Sequence, residues 1–355
     1  MSPYAEIQRI LDRAVTGGGV PGIIAEVRDS DRAWFGGGAP GIVAEFHDGD
    51  RAVGDGGVPG IVAEARDGDR AWFGTAGVAD LATGRERRPG EHFRIGSLTK
   101  AFTAAVVLSL AAEGALTLDD TVATWLPGLA EEQLGADGTE IVVRQLLNHT
   151  SGLPDVFPGQ ETPPPEEPGG FAYSKVNYTL AGMIVEQVTG ATLAQEIERR
   201  VARPLGLTGT YLPGDDQHLR EPHARHYTKE SGEIHDVTAA DLSWAWAAGG
   251  MVSTTADLHA FLNALLRDPL LPAELRREMF TTVPTAGWIP DTRYGLGVFS
   301  QRLPCGATVW GGGGAVPGSW SYAMGEGRRA VVVNANGDWG DLMAVFGELM
   351  VARFR

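Results

Sequence analysis

The sequence predicts an α/β (α+β) fold in which an antiparallel sheet is split along the chain around an all-helical insertion. Three observations predict it. A short amphipathic helix and hairpin-like segments come first, helical periodicity fills the middle, and strand alternation returns near the C-terminus.

The opening stretch MSPYAEIQRILDRAV interleaves Glu6, Arg9, Asp12 and Arg13 with apolar residues, as a surface helix does. A secretory signal needs an unbroken apolar run behind a basic start, so no export signal is expected in this segment, and a mature chain with its signal removed would read the same. A repeat follows. GGVPGIIAEVRDSDRAWFG (Gly18 to Gly36), GGAPGIVAEFHDGDRAVG (Gly37 to Gly54) and GGVPGIVAEARDGDRAWFG (Gly56 to Gly74) place Pro21, Pro40 and Pro59 at one spacing. Each unit reads as a β-hairpin, a short apolar strand turning at Asp-Ser-Asp or Asp-Gly-Asp into a second strand. Nothing later continues the period, so residues 18–74 are a local duplication rather than a solenoid. Only the third copy runs directly into the following segment, and it is the one expected in the core sheet.

Ser97 to Gly114 has the apolar content and terminal glycine of a helix, and VRQLLNHTSGLPD (Val143 to Asp155) reads as a helix end entering a turn. Residues 154–170 carry too many prolines for helix or strand and form a surface loop. NYTLAGMIVEQVTGATLAQEIERRV has helical spacing broken at Gly190, giving two helices. SWAWAAGGMVSTTADLHAFLNALL gives a tight turn and another helix. RYGLGVFSQ (residues 293–301) and ATVWGGGGAVPGSWSYAMGEGRRAVVVNANG (residues 307–337) alternate as antiparallel strands, with a β-turn at Gly325 to Gly327, and Leu342 to Phe354 closes with a helix. Residues 1–100 and 240–355 thus form the α/β part and 101–239 the helical part of one catalytic unit.

With 355 residues, 43% of them hydrophobic, the chain can bury a large core. Its net charge of −16 repels phosphate backbones and anionic lipid, which argues against nucleic-acid and membrane partners. The apolar run Ala101 to Ala112 is too short to span a bilayer. The single Cys305 permits no internal disulfide and fits a reducing, cytoplasmic compartment. The histidines form no H-E-x-x-H or Cys/His cluster, so neither metal nor cofactor is expected.

Of three lysines, Lys100, Lys175 and Lys229, one stands three residues after a serine at a helix start. Residues i and i+3 are neighbours on a helix, so the Lys100 amine can reach the Ser97 hydroxyl. A serine is a poor nucleophile until a base takes its proton, and burial can lower a lysine's pKa enough to make it that base. The alternative is a serine N-cap beside a solvated lysine.

The ordered set RIGSLTKAFT, VRQLLNHTSGLPD, FAYSKVNYTLAG, SWAWAAGGMVSTTADL and the glycine-rich WGGGGAVPGSWS resembles the serine β-lactamase and penicillin-binding protein superfamily, from Gly56 to the end of the chain. The branch it resembles holds class C β-lactamases, D-alanyl-D-alanine carboxypeptidases, family VIII esterases and D-amino-acid peptidases. The resemblance implies a β-lactamase/transpeptidase-like fold, with Ser97 as nucleophile and Lys100 and Tyr173 as its joint proton-transfer partners. It also implies an oxyanion hole from the backbone N–H groups of Ser97 and Ala315.

Three departures bear on substrate. The family's Tyr-x-Asn reads Tyr173-Ser174-Lys175, and Lys175 either adds charge beside Lys100 or turns to solvent while Asn177 or water fills the gap. The family's cation-hydroxyl-glycine triad is replaced by glycines, with Gly312 at the cationic and Gly313 at the hydroxyl position, followed by Gly314. A slightly shifted register makes Trp310-Gly311-Gly312 the Trp-x-Gly of family VIII esterases. Phe299 stands where carboxypeptidases of this branch carry a carboxylate-binding arginine. Each change removes charge or hydroxyl from the place of an anionic substrate tail, and a buried carboxylate without a partner is costly. The short 154–170 loop suggests a wide cleft. The expected activity is acyl transfer from a neutral ester or amide of a small molecule to water or an amine. The alternatives are a carboxypeptidase or β-lactamase, and a non-catalytic protein that keeps the fold.

Overall fold

A computed structural model of the chain describes residues 3–16, 57–68, 70–129, 140–156, 169–267 and 270–355. The first two repeat copies, Gly18 to Gly54, and most of the 154–170 loop lie outside them. The third copy forms a hairpin, β1 (Gly60–Asp67) and β2 (Arg70–Asp80), in register from Gly60↔Gly77 to Asp67↔Arg70. Helix α1 (Pro3–Thr16) precedes it.

The hairpin is one side of a nine-stranded antiparallel sheet. With β3 (Arg85–Glu86), β8 (Val283–Pro284), β9 (Thr292–Tyr294), β10 (Phe299–Arg302), β11 (Thr308–Val316), β12 (Ser319–Glu326) and β13 (Arg329–Ala335), the order is β3-β2-β1-β13-β12-β11-β10-β9-β8. The open sheet is therefore joined in its interior by pairing its first long strand with its last, Ile61↔Ala335 through Asp67↔Arg329. Alternation sends Val331 and Val333 to one face and Val332 to the other. The first face is covered by α1 (Ile7, Ile10, Leu11) and the C-terminal helix Leu342–Phe354 (Phe346, Leu349, Met350). The β12–β13 turn falls on Gly327 and Arg328, two residues beyond the start of the expected turn, because Glu326 still pairs with Arg329.

The opposite face meets the helical part. Its centre is α2 (Thr99–Ala112), entered through a 3-10 turn at Gly96–Leu98, so Ser97 lies just before the helix rather than within it. Eleven of its fourteen residues are buried, as expected of a helix apolar on every side. Around it lie α3 (Val143–Leu147), α4 (Lys175–Thr189), α5 (Leu193–Ile197) and α6 (Thr255–Leu266). Helix α4 ends at Gly190 in the left-handed conformation, φ 67°, the break its glycine announced. Residues 227–236, inside the stretch expected to be helical, instead form the hairpin β5 (Tyr227–Glu230) and β6 (Glu233–Asp236). Ser231 and Gly232 both take positive φ, the two-residue turn that matches strand twist. Two short strands, β4 (Phe93–Arg94) and β7 (Val252–Ser253), pair beneath the sheet and bring residues 246–251 against the start of α2. Among the described residues, no helix is long and apolar enough to cross a membrane.

Candidate active site

Ser97 sits where the sheet meets α2. From Glu91 to Lys100 it alone is not buried, so its hydroxyl is the one group of this run offered to the cleft. The turn that presents it depends on Gly96, whose φ of 52° is left-handed. A β-carbon there would lie 2.7 Å from the Ala315 nitrogen, and one on Gly314 would lie 2.3 Å from the Ser97 nitrogen. The two backbones are therefore in contact beside the Ser97 and Ala315 nitrogens, at the turn that leads into α2. The β10–β11 ladder ends at Phe299↔Gly311, so Gly312–Val316 pairs only with β12 and turns its other edge toward the serine.

Lys100 is 1% exposed, and its Nζ lies 3.1 Å from Ser97 Oγ while donating to the Ala248 carbonyl at 2.7 Å. Burial, reinforced by the charge of Lys175 and opposed by that of Asp155, brings its pKa down from 10.5 to about 7. An amine in that range is partly neutral at neutral pH and can then accept a proton.

Tyr173 projects over this pair, with Lys100 Nζ 4.9 Å from its ring centroid. Burial raises its phenol pKa; a hydrogen bond with the Ser97 side chain pulls it down, and Asp155 pushes it up. The net effect keeps the phenol protonated at neutral pH. Trp288 stacks on its ring at 5.6 Å and 14°, and Phe171, Tyr294 and Phe299 continue the aromatic wall. Phe299 is 3% exposed inside this wall. No cation stands at its position.

The glycines of β11 differ in what they face. A β-carbon on Gly314 would meet the Ile95 carbonyl oxygen at 2.2 Å, whereas one on Gly312 would meet only Leu98 Cδ2, at 3.0 Å. One on Gly313 would strike the Tyr322 ring at 2.6 Å. Trp310, three residues before Gly313 on the strand, packs edge-to-face on Phe280 at 4.9 Å. Lys175 Nζ and its backbone N–H both bond Asp155, at 2.5 and 2.7 Å, which caps the start of α4. Asn177 is fully buried and bonded to Ser151 and His149, so it does not fill the place of the family asparagine.

Sequence reasoning missed the Ala248 carbonyl, Asp155, His149 and Trp288. A carbonyl has no side-chain signature, and only its place in a glycine-rich turn before α6 could have drawn notice. Asp155 and His149 lie in the quoted NHTSGLPD stretch without the Ser/Lys spacing that flags chemistry.

A family model described as Beta-lactamase matches residues 9–344. Among solved structures, a D-stereospecific amidohydrolase from Streptomyces sp. is 36% identical with a TM-score of 0.78, covering 99% of this chain and 98% of that one. The D-amino acid amidase from Ochrobactrum anthropi SV3, complexed with D-phenylalanine, is 25% identical with a TM-score of 0.77 and the same coverage. The putative penicillin-binding protein PbpX of Bacillus subtilis (strain 168) is 27% identical over 239 residues, 63% of this chain and 57% of PbpX. Penicillin-binding protein 4* of the same organism is matched over 59% of its length, so the chain spans less than two thirds of either relative. The nine-stranded sheet, the helical half and the match along nearly the whole chain agree: this protein belongs to the beta-lactamase family.

Proposed function

We propose that the enzyme hydrolyses amides and esters of D-amino acids whose leaving group is neutral, through an acyl-Ser97 intermediate. The observation that carries this reading is the buried Lys100 amine, 3.1 Å from Ser97 Oγ with a pKa near 7. As Oγ attacks the substrate carbonyl, Lys100 takes its proton, and the N–H groups of Ser97 and Ala315 hold the developing oxyanion. Tyr173 gives its phenolic proton to the leaving nitrogen and is reprotonated from Lys100. The amine departs neutral. Water then attacks the acyl-enzyme, Lys100 takes a proton from it, and that proton returns to Ser97 as the acid leaves. An added amine would intercept the same intermediate.

The D-configuration rests on the likeness to the Streptomyces amidohydrolase and the Ochrobactrum amidase. The neutral leaving group rests on Gly312, Gly313 and Phe299, which offer a terminal carboxylate neither charge nor hydroxyl. A lost charge-assisted hydrogen bond is worth roughly 1.5–3 kcal/mol. D-phenylalanine amide should therefore exceed D-alanyl-D-alanine in kcat/KM by about ten-fold or more, and the D-configuration predicts that it also exceeds L-phenylalanine amide. A preference for the L-amide or the free-acid dipeptide overturns the substrate assignment, and failure of a fluorophosphonate to label Ser97 overturns the mechanism.

The base must be neutral to act, so kcat/KM is expected to rise with pH through about 7. Lys175→Asn removes a positive charge that disfavours the protonated amine, so Lys100 keeps its proton to higher pH and the acidic limb moves up. Asp155→Asn removes a charge that favours protonation and moves the limb down. Each displacement should be on the order of half a pH unit. A limb that stays in place in both variants would show that it does not belong to Lys100.

A further inference from the structure

His149 takes part in none of these steps, yet it is the residue most closely fastened to Tyr173. Its φ of 59° is left-handed, a conformation that costs a residue with a β-carbon and persists only when its surroundings require it. It is fully buried. The His149 carbonyl accepts the Ala172 N–H at 2.8 Å, and its Nδ1 accepts the Ser174 N–H at 3.3 Å. Both chain neighbours of Tyr173 are thus tied to one residue. The imidazole also lies 4.4 Å from the Tyr173 ring, tilted by 37°.

The polarity of the clamp is settled by its neighbours. Ser151 Oγ accepts the Leu153 N–H at 3.1 Å and donates to Asn177 Oδ1 at 2.6 Å. The Asn177 amide nitrogen therefore faces His149 Nδ1, at 3.0 Å, as a donor. With two donors aimed at Nδ1, the ring proton belongs on Nε2. Burial and the charges of Lys100 and Lys175 hold the imidazole well below its usual pKa, so Nδ1 stays an acceptor at neutral pH.

We infer that His149 is a positioning residue for Tyr173, clamping the peptide on both sides of the tyrosine and one face of its ring so that the phenol stays at Ser97. The inference rests on the reading of Tyr173 as the proton donor to the leaving group. That role matters for an amine, which must be protonated to leave, and little for p-nitrophenolate, which departs as an anion. A misplaced phenol should therefore slow amides selectively.

The test compares kcat and KM for D-phenylalanine amide and for the D-phenylalanine p-nitrophenyl ester in three variants. His149→Phe keeps a ring and removes the acceptor. His149→Asn removes the ring and keeps both an acceptor and tolerance of the left-handed backbone. Tyr173→Phe is the reference. In both His149 variants kcat on the amide should fall about ten- to a hundred-fold, with the ester reduced less than about three-fold and KM within about two-fold. Stoichiometric fluorophosphonate labelling counts intact sites, so His149→Asn carries the test if His149→Phe does not fold. Amide and ester falling together, or neither falling, in His149 variants while Tyr173→Phe shows the split overturns the clamp alone. Absence of the split in Tyr173→Phe overturns the reading of Tyr173, and the clamp with it.

Discussion

Ser97→Ala is expected to lower kcat by at least about a thousand-fold, with Lys100→Ala close behind, because nucleophile and base act as a unit and either loss removes most of the rate. The fold should survive the serine change. Ser97 is partly exposed, and its alanine variant removes one hydroxyl from the edge of the cleft without opening the core. Turnover of D-phenylalanine amide and a thermal melt on the same preparation check both halves. Retention of more than about a tenth of wild-type kcat, roughly 1.4 kcal/mol of barrier, would remove Ser97 from the mechanism.

Gly314→Ala is expected to be nearly as damaging, although it adds one methyl group. Its β-carbon would fall 2.2 Å from the Ile95 carbonyl oxygen and 2.3 Å from the Ser97 nitrogen, and both are backbone atoms that no rotamer change can move aside. Strand β11 must then withdraw from the serine turn, separating the Ala315 N–H from that of Ser97. Losing one oxyanion donor costs about a hundred- to a thousand-fold in kcat, and the overpacking about 1–3 kcal/mol of stability. Gly312→Ala is the control, since its methyl would meet only the end of the Leu98 side chain. Equal losses in the two variants, read by kcat and by the rate of fluorophosphonate labelling, would refute the proposed division of labour along the run.

That division shows where sequence reading stopped. The approach of Lys100 to Ser97, the third repeat as a hairpin and the helix break at Gly190 all follow from local rules and were legible, although Ser97 itself falls in the turn before the helix. The glycines of β11 read as missing side chains, whereas in space Gly314 is also an approach distance between two backbones. Such a contact joins residues far apart in sequence and leaves no periodicity. The 227–236 hairpin was hidden because Lys229, Glu230 and Glu233 give it no apolar alternation, and the turn at Ser231-Gly232 alone defines it. His149 was unreadable for a different reason: its significance lies in backbone and ring contacts on either side of Tyr173, not in a spacing.

The pairing of β1 with β13 in the middle of the sheet orders events in time during synthesis. When the hairpin leaves the ribosome, Ile61, Ala63 and Ala65 have no partner strand on that edge, and residues 329–335, which will supply it, are not yet made. At about 5–20 residues per second, the wait is on the order of tens of seconds. The helical half, including α2, emerges first and can collapse around its own apolar surface. Ser97 and Lys100 are translated early, but the strand carrying Ala315 comes near the end. A ribosome stalled before residue 308 would hold a nascent chain with nucleophile and base already made and only one of the two N–H groups proposed to receive the oxyanion.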